Sequence, residues 1–408
     1  MKQERIPKEE KEAYIDELLS RSVAAVFPSK EELKKLLLSG KRLKIYIGAD
    51  ATGPDLHVGH ATNYLLLEKF RRLGHKVIVL FGDFTAMIGD PTGKESARKA
   101  LTSAEVKKNI ATWKKQLSPL LPFSGFSNKA NIVKNSSWLS KLTFADVVSL
   151  SSHFTVQQMI ERDMFDKRIK AGSPVYLNEF LYPLMQGYDS VALDVDVEIG
   201  GNDQTFNMLA GRTLQKKINN KEKFVIATTL LVNQKTGKKI MNKSEGGVVG
   251  LKDEPKEMFG KIMALPDEVV PQMFYDCTLL SSEEIKKNLD ILFSGGNPRD
   301  TKALLAEEIV KIYHGAENAK KAKDTFFSTF SKGDTPEDSF EEFSGEGEPL
   351  SEILLRENKI KSKGEWGRLV QGGGVFSLTQ NEKVGDLFYK VQKGEKFRVG
   401  KKTFIKIK

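Results

Sequence analysis

Cysteine is almost absent. Cys277 stands alone in 408 residues, so no internal disulfide can form and no cysteine cluster exists to hold zinc. Long apolar runs are missing too; none approaches the roughly 20 residues that a membrane-spanning helix needs. The first residues, Met1-Lys-Gln-Glu-Arg, lead into a charged stretch without the apolar core of a secretory signal. These absences point to a cytoplasmic protein with no membrane partner. Asn135-Ser-Ser matches a glycosylation sequon, which carries no weight in a protein that is not secreted. No repeat or low-complexity tract is present, which excludes solenoids and fibrous classes.

The chain is longer than one hydrophobic core usually organises, so several domains are expected. The net charge of +10 is unevenly placed. Residues 349–408 hold fourteen Lys/Arg against six Asp/Glu, whereas 331–348 hold one Lys against seven acids. The acidic, Gly- and Ser-containing stretch 331–348 reads as a solvated linker. The basic segment after it reads as a nucleic-acid-binding module.

Residues 8–40 carry apolar positions at helical spacing. Lys44-Ile-Tyr-Ile47 is then a short strand, followed by a polar loop and a helix from about Leu56 to Leu73. Val77-Ile-Val-Leu-Phe81 is a continuous apolar run ending in Gly82-Asp83, as expected of a buried parallel strand. That order makes a βαβ unit. Helices at 103–117, 144–151, 156–171 and 178–189 and strands near 131–133 and 195–199 continue it. Residues 1–249 therefore read as a doubly wound α/β domain with N-terminal helices. Residues 250–330 change to helices only.

Five constellations carry chemistry. In Asp50-Ala-Thr52-Gly-Pro-Asp-Leu-His57-Val-Gly59-His60, a strand ends and a helix begins, where open α/β sheets bind ligands and helix N-termini attract phosphate. His57 and His60 would share one side of the first turn and donate hydrogen bonds to phosphates. A metal site is the competing reading, but it lacks a third ligand and the i, i+4 spacing of a helical zinc pair. Gly59 would admit the nucleotide closely. Gly82-Asp83 through Gly89-Asp90-Pro91 makes an acidic rim in which Asp90 can pair with a substrate ammonium. Tyr182, Gln186 and Asp189 recur at i, i+4 and i+7 on one helix face, polar groups that must find partners if buried. Gly200-Gly201-Asn-Asp203-Gln204 closes a strand with glycines that allow close approach to a ribose and an Asp203 that can accept its hydroxyl hydrogen bonds. Thr236-Gly-Lys238-Lys239-Ile240-Met241-Asn242-Lys243-Ser244 is a basic, glycine-flanked loop.

This ordered set resembles the bacterial-type tyrosyl-tRNA synthetases of class I, over nearly the whole chain. His-Val-Gly-His at 57–60 is similar to the HIGH signature, which small adenylyltransferases share. Ile-Met-Asn-Lys-Ser at 240–244 is similar to the KMSKS loop, with Ile240 in place of its first lysine. The resemblance implies activation of L-tyrosine with ATP as substrate, magnesium coming with the nucleotide, and transfer of tyrosine to tRNA(Tyr). It implies His57, His60 and Lys243 as catalytic residues. Asp50, Thr52, Gly59, Gly201, Asp203, Met241 and Ser244 are expected at ATP, with Asp90, Tyr182, Gln186 and Gln204 at tyrosine. Tyr46 and Asp189 are expected to bind the substrate phenol. Residues 250–330 are expected to approach the anticodon. Residues 349–408 look like the small α+β RNA-binding fold first seen in a ribosomal small-subunit protein. Family members are homodimers, so a homodimer is expected. A tryptophanyl-tRNA synthetase, and a non-catalytic RNA-binding protein retaining the fold, are the nearest alternatives.

Overall fold

Short β-branched runs separated by amphipathic helices build one six-stranded sheet: β1 Val23–Phe27, β2 Lys44–Ala49, β3 Lys76–Phe81, β4 Asn131–Lys134, β5 Val197–Gly201 and β6 Phe224–Thr228. The computed structural model describes residues 9–90, 101–160, 163–233, 235–241, 247–331, 340–380, 382–400 and 403–408. The strand order is β1-β6-β5-β2-β3-β4, parallel throughout except for β1, which runs antiparallel to β6. From β2 the chain winds outward through β3 and β4, then returns to place β5 on the other side of β2. The order therefore reverses between β2 and β5, and that junction is where a doubly wound sheet opens a ligand crevice.

Residues 8–40 are not wholly helical. Helices Lys11–Leu18 and Lys30–Leu38 flank β1, whose five residues are too short to show a period of their own and are held by pairing with β6. The stretch 156–171 divides into helices Val156–Ile160 and Asp163–Lys170. Helix Ser103–Leu117 begins where Thr102 and Glu105 form a reciprocal cap.

The chain divides into two compact units, Met1–Ala322 and Lys323–Lys408. Helices Pro255–Met263, Val270–Cys277, Ser282–Phe293 and Pro298–His314 pack on one another, and Val270–Cys277 also packs on helix Val58–Arg72. The buried Arg21 ties them to the N-terminal segment, its guanidinium donating to the carbonyls of Phe274, Tyr275 and Thr278. These helices thus share a compact unit with the sheet.

In the second unit, β7 Glu341–Phe343, β8 Val375–Ser377, β9 Glu382–Lys383, β10 Lys396–Val399 and β11 Thr403–Ile407 form a sheet in the order β7-β11-β10-β8-β9. Helices Leu350–Arg356 and Lys363–Gln371 cover it around Ile353, Leu354, Trp366 and Phe397. The stretch expected as linker is not linker throughout, because β7 lies within it and pairs parallel to β11. Its acids explain why: Glu342 pairs with Lys408 at 2.9 Å and Lys406 at 3.5 Å, and Glu341 pairs with Lys359. The negative run is complementary to the basic module that follows it.

Candidate active site

The carboxyl ends of β2, β3 and β5 open into a cleft of about 660 Å³, a volume suited to small ligands. The loop after β2 forms one wall and is braced by helix Ser103–Leu117. Asn109 Nδ2 donates to the Ala51 carbonyl at 2.8 Å, Trp113 Nε1 to that of Gly53 at 2.7 Å, and Gln116 Nε2 to that of Pro54 at 2.9 Å. Segment 249–252 holds its far end through Val58 N–H to the Val249 carbonyl and Leu251 N–H to the Leu56 carbonyl.

His57 and His60 stand at the start of helix Val58–Arg72 with their rings stacked 3.6 Å apart. His60 Nδ1 accepts the His57 backbone N–H at 3.3 Å, which puts the ring proton on Nε2 and leaves that nitrogen a donor. Burial, the neighbouring His57 and the charge of Lys239 lower the His60 pKa to about 4; burial and Lys239 lower that of His57 as well. Both rings are neutral at pH 7. A Cβ at Gly59 would lie 3.1 Å from His57 Nδ1 and from Met241 Cγ. Glycine there lets the histidine loop and the basic loop touch.

Across the cleft, helix Leu177–Leu193 presents Tyr182, Gln186 and Asp189, and all three line the cavity. The Tyr182 hydroxyl donates to Asp50 Oδ2 at 2.9 Å, and Thr85 Oγ1 donates to Asp50 Oδ1 at 2.6 Å. Burial, then the charges of Asp50 and Asp90, push the Tyr182 phenol well above its usual range. Asp90 Oδ2 accepts from Gln204 Nε2 at 2.8 Å. Asp189 is buried between Trp138 Nε1, donating at 2.8 Å, and Asn135 Nδ2, donating at 3.3 Å. Burial raises its carboxyl well above the ordinary range, and Glu198 and Asp50 add to the rise against the two donors.

Thr52, Gly201 and Asp203 line the cleft with His57, His60 and Met241. Lys239 joins them, its ammonium 3.9 Å from an Asp203 oxygen. Ile240 faces the other way: it is fully buried, and its N–H donates to the Leu231 carbonyl at 3.0 Å. Lys243 and Ser244 lie outside the described residues. Among the described residues, Tyr46 is the one sequence-expected residue that is not in the cavity lining. It is fully buried, and its hydroxyl shares a 2.8 Å hydrogen bond with Ser190 Oγ.

Sequence reasoning missed Asn135, Trp138 and Thr85, which orient the two aspartates, and Asn207, Glu198 and Lys223, which lie behind Gln186. Asn135 and Trp138 share helix Ser136–Leu139 and its cap, but the others sit on separate elements, and no spacing in a single sequence joins them to the cleft. Among the described residues, no group of three or more His, Cys, Asp or Glu is placed to hold a metal, and no helix is long and apolar enough to cross a membrane.

Residues 38–331 match the family model for class I tRNA synthetases of the W and Y type. The chain belongs to this family. Among relatives of this class I synthetase, the tyrosine–tRNA ligase of Carboxydothermus hydrogenoformans is 41% identical over 406 residues, 96% of this chain and 97% of that protein. The tyrosine–tRNA ligase of Thermotoga maritima is 39% identical over 96% of both chains. The same fold occurs in a C-terminally truncated mitochondrial tyrosyl-tRNA synthetase of Aspergillus nidulans, with a TM-score of 0.66 and 23% identity over 79% of this chain and 97% of that one. It occurs also in the tyrosyl-tRNA synthetase of Archaeoglobus fulgidus complexed with L-tyrosine, with a TM-score of 0.59 and 20% identity over 78% of this chain and all of that one.

Proposed function

We propose that the protein is a tyrosine–tRNA ligase that activates L-tyrosine with MgATP and transfers it to tRNA(Tyr). The observation that carries the choice of amino acid is Asp189: a buried carboxyl at the wall of the cleft, with two donors behind it and room for a third in front. A substrate phenol O–H is such a donor. At the other end of the pocket, the Asp90 carboxylate suits the substrate ammonium, with Tyr182, Gln186 and Gln204 around it.

With tyrosine so held, its carboxylate attacks the α-phosphorus of ATP. The bond to the bridging oxygen breaks, tyrosyl-adenylate forms, and pyrophosphate leaves with the electron pair. The reaction is chiefly positioning and charge stabilisation. His60 Nε2–H and the His57 ring offer neutral donors to the phosphates, Lys239 and Lys243 offer charge, and Asp203 with Gly201 receives the ribose. Magnesium arrives with the nucleotide. The adenylate then passes its acyl group to the terminal ribose of the tRNA.

Helices in 250–330 are placed by this reading at the anticodon, and the basic unit grips another part of the same tRNA through phosphate contacts. Deleting 340–408, which removes β7 together with its partner strand, is expected to impair tRNA charging at least tenfold while leaving adenylate formation within about twofold. Equal loss of both activities would sink the separate RNA-binding role. A homodimer is supported by exposed apolar side chains on neighbouring helices: Phe144 is 84% exposed, Leu177 79% and Val148 54%. The lone, buried Cys277 suits a reducing cytoplasm.

Tyrosine-dependent ATP–pyrophosphate exchange without tRNA, run beside tryptophan and phenylalanine, tests the assignment. Exchange with tyrosine alone is expected. Exchange with tryptophan would overturn the pocket assignment, and exchange with none would overturn the enzyme.

A further inference from the structure

A lysine lies behind the amino-acid pocket with no access to solvent. Lys223, on the residue before β6, is fully buried; its ammonium pairs with Glu198 and donates to Ser190 Oγ at 2.8 Å. Glu198 lines the cleft, whereas Lys223 is not in its lining. Room for the ammonium is made where helices Leu177–Leu193 and Thr205–Asn219 cross. A Cβ on Gly211 would lie 2.6 Å from Lys223 Nζ, 2.8 Å from Ser190 Oγ and 3.3 Å from Gly187 Cα. Two charges in a core rarely stabilise a fold better than apolar side chains of the same volume, so the pair calls for another reason.

The hydrogen bonds that start at Glu198 supply one. Glu198 Oε1 accepts from Gln186 Nε2 at 3.2 Å; Gln186 Oε1 accepts from Asn207 Nδ2 at 2.9 Å. The other proton on Asn207 Nδ2 goes to Gln204 Oε1 at 2.9 Å, and Gln204 Nε2 donates to Asp90 at 2.8 Å. An ionised carboxylate only accepts. Glu198 therefore turns the amine of Gln186 toward itself, which turns its carbonyl toward Asn207, which turns the Asn207 amine outward on both sides. Asp90 demands the same sense from the other end. Asn207 Oδ1, buried with no hydrogen-bond partner among the described groups, marks how firmly that orientation is imposed. A Glu198 that had lost its charge could donate to Gln186 and reverse the chain against Asp90.

We propose that Lys223 is a positioning residue for tyrosine activation: by keeping Glu198 an obligate acceptor, it fixes Gln186, Asn207 and Gln204 in the one orientation that aims Gln186 Oε1 and Asp90 at the substrate ammonium. The proposal rests on the ligase reading. It assigns to a residue outside the cleft a selective effect on the amino acid and none on the nucleotide.

The test is tyrosine-dependent ATP–pyrophosphate exchange by the full chain. Lys223→Met is expected to raise the KM for tyrosine about tenfold or more and to leave the KM for ATP within about twofold. In E198Q/K223M the amide gives Gln186 an acceptor again but can also donate to it, so only part of that loss is expected to return. In E198A/K223M, which has no acceptor there, it is not. A rise in both KM values alike in Lys223→Met, or equal tyrosine KM values in the two double variants, would overturn the proposal. The double variants bury no lone charge, so their comparison decides the matter even if the single variant does not fold. Absence of exchange by the unaltered chain would overturn the ligase reading and this proposal with it; exchange that Lys223→Met leaves unchanged overturns only the proposal.

Discussion

Asp189→Ala is expected to raise the KM for tyrosine by about two orders of magnitude and to abolish most of the preference for tyrosine over phenylalanine, with the KM for ATP little changed. The size follows from what the alanine leaves behind. Trp138 Nε1 and Asn135 Nδ2 lose their acceptor inside a buried wall, and the substrate O–H loses its partner at the same point. Buried donors left unpaired cost more than the hydrogen bond itself is worth. Asp189→Asn separates hydrogen bonding from charge: its carbonyl can serve Trp138, but its amine then faces Asn135 or the phenol, and an intermediate loss is expected. Tyr46→Phe should be far milder. The Tyr46 hydroxyl is spent on Ser190 within the Glu198–Lys223 cluster, so its removal acts on the pocket only through those neighbours. A Tyr46→Phe loss as large as that of Asp189→Ala, measured by exchange at varied tyrosine, would return the phenol contact to Tyr46.

What could be read in the chain beforehand divides along a physical line. Helix Leu177–Leu193 could be read because Tyr182, Gln186 and Asp189 repeat at helical spacing within eight residues, and one helix face delivers all three to one cavity. The histidine pair could be read for the same reason: 57 and 60 share a turn. Local periodicity fixes local geometry. β1 could not be read, because its five residues carry no period and owe their strand conformation to β6, some two hundred residues away. The wall behind Gln186 was equally hidden: Glu198 on β5, Asn207 on helix Thr205–Asn219 and Lys223 just before β6 meet only when that helix packs back on the paired strands β5 and β6. Asn135 was hidden too: its chance match to a sequon says nothing of a side chain that is fully buried and bonds Asp189 and Thr85. The acidic run 331–348 misled, since composition alone does not reveal that Glu341 and Glu342 pair with basic side chains of their own unit.

Lys239→Met is expected to lower kcat for adenylate formation by about two orders of magnitude, whereas Lys238→Met should change it by less than about threefold. The family pattern would place a lysine at 240, where this chain has isoleucine. An ammonium could not occupy that position as the loop is built here: Ile240 has no exposed surface, and its backbone N–H is committed to Leu231. Lys239 precedes it in an extended stretch bridged to Val232, and successive side chains in such a stretch point to opposite sides. Burying Ile240 therefore sends Lys239 into the cleft, where it lines the cavity with His57, His60 and Asp203. Its charge already reaches the histidines, since it helps to hold both imidazoles neutral. Charge that develops on the departing pyrophosphate would meet that ammonium. Because the ground-state nucleotide carries less charge at that point, the loss should fall on kcat more than on the KM for ATP. Single-turnover adenylate formation, followed without tRNA in both variants, decides between the two lysines. Equal rates for Lys238→Met and Lys239→Met would mean that the shift from position 240 to 239 confers nothing on the reaction, and that Lys243 alone supplies the loop's charge.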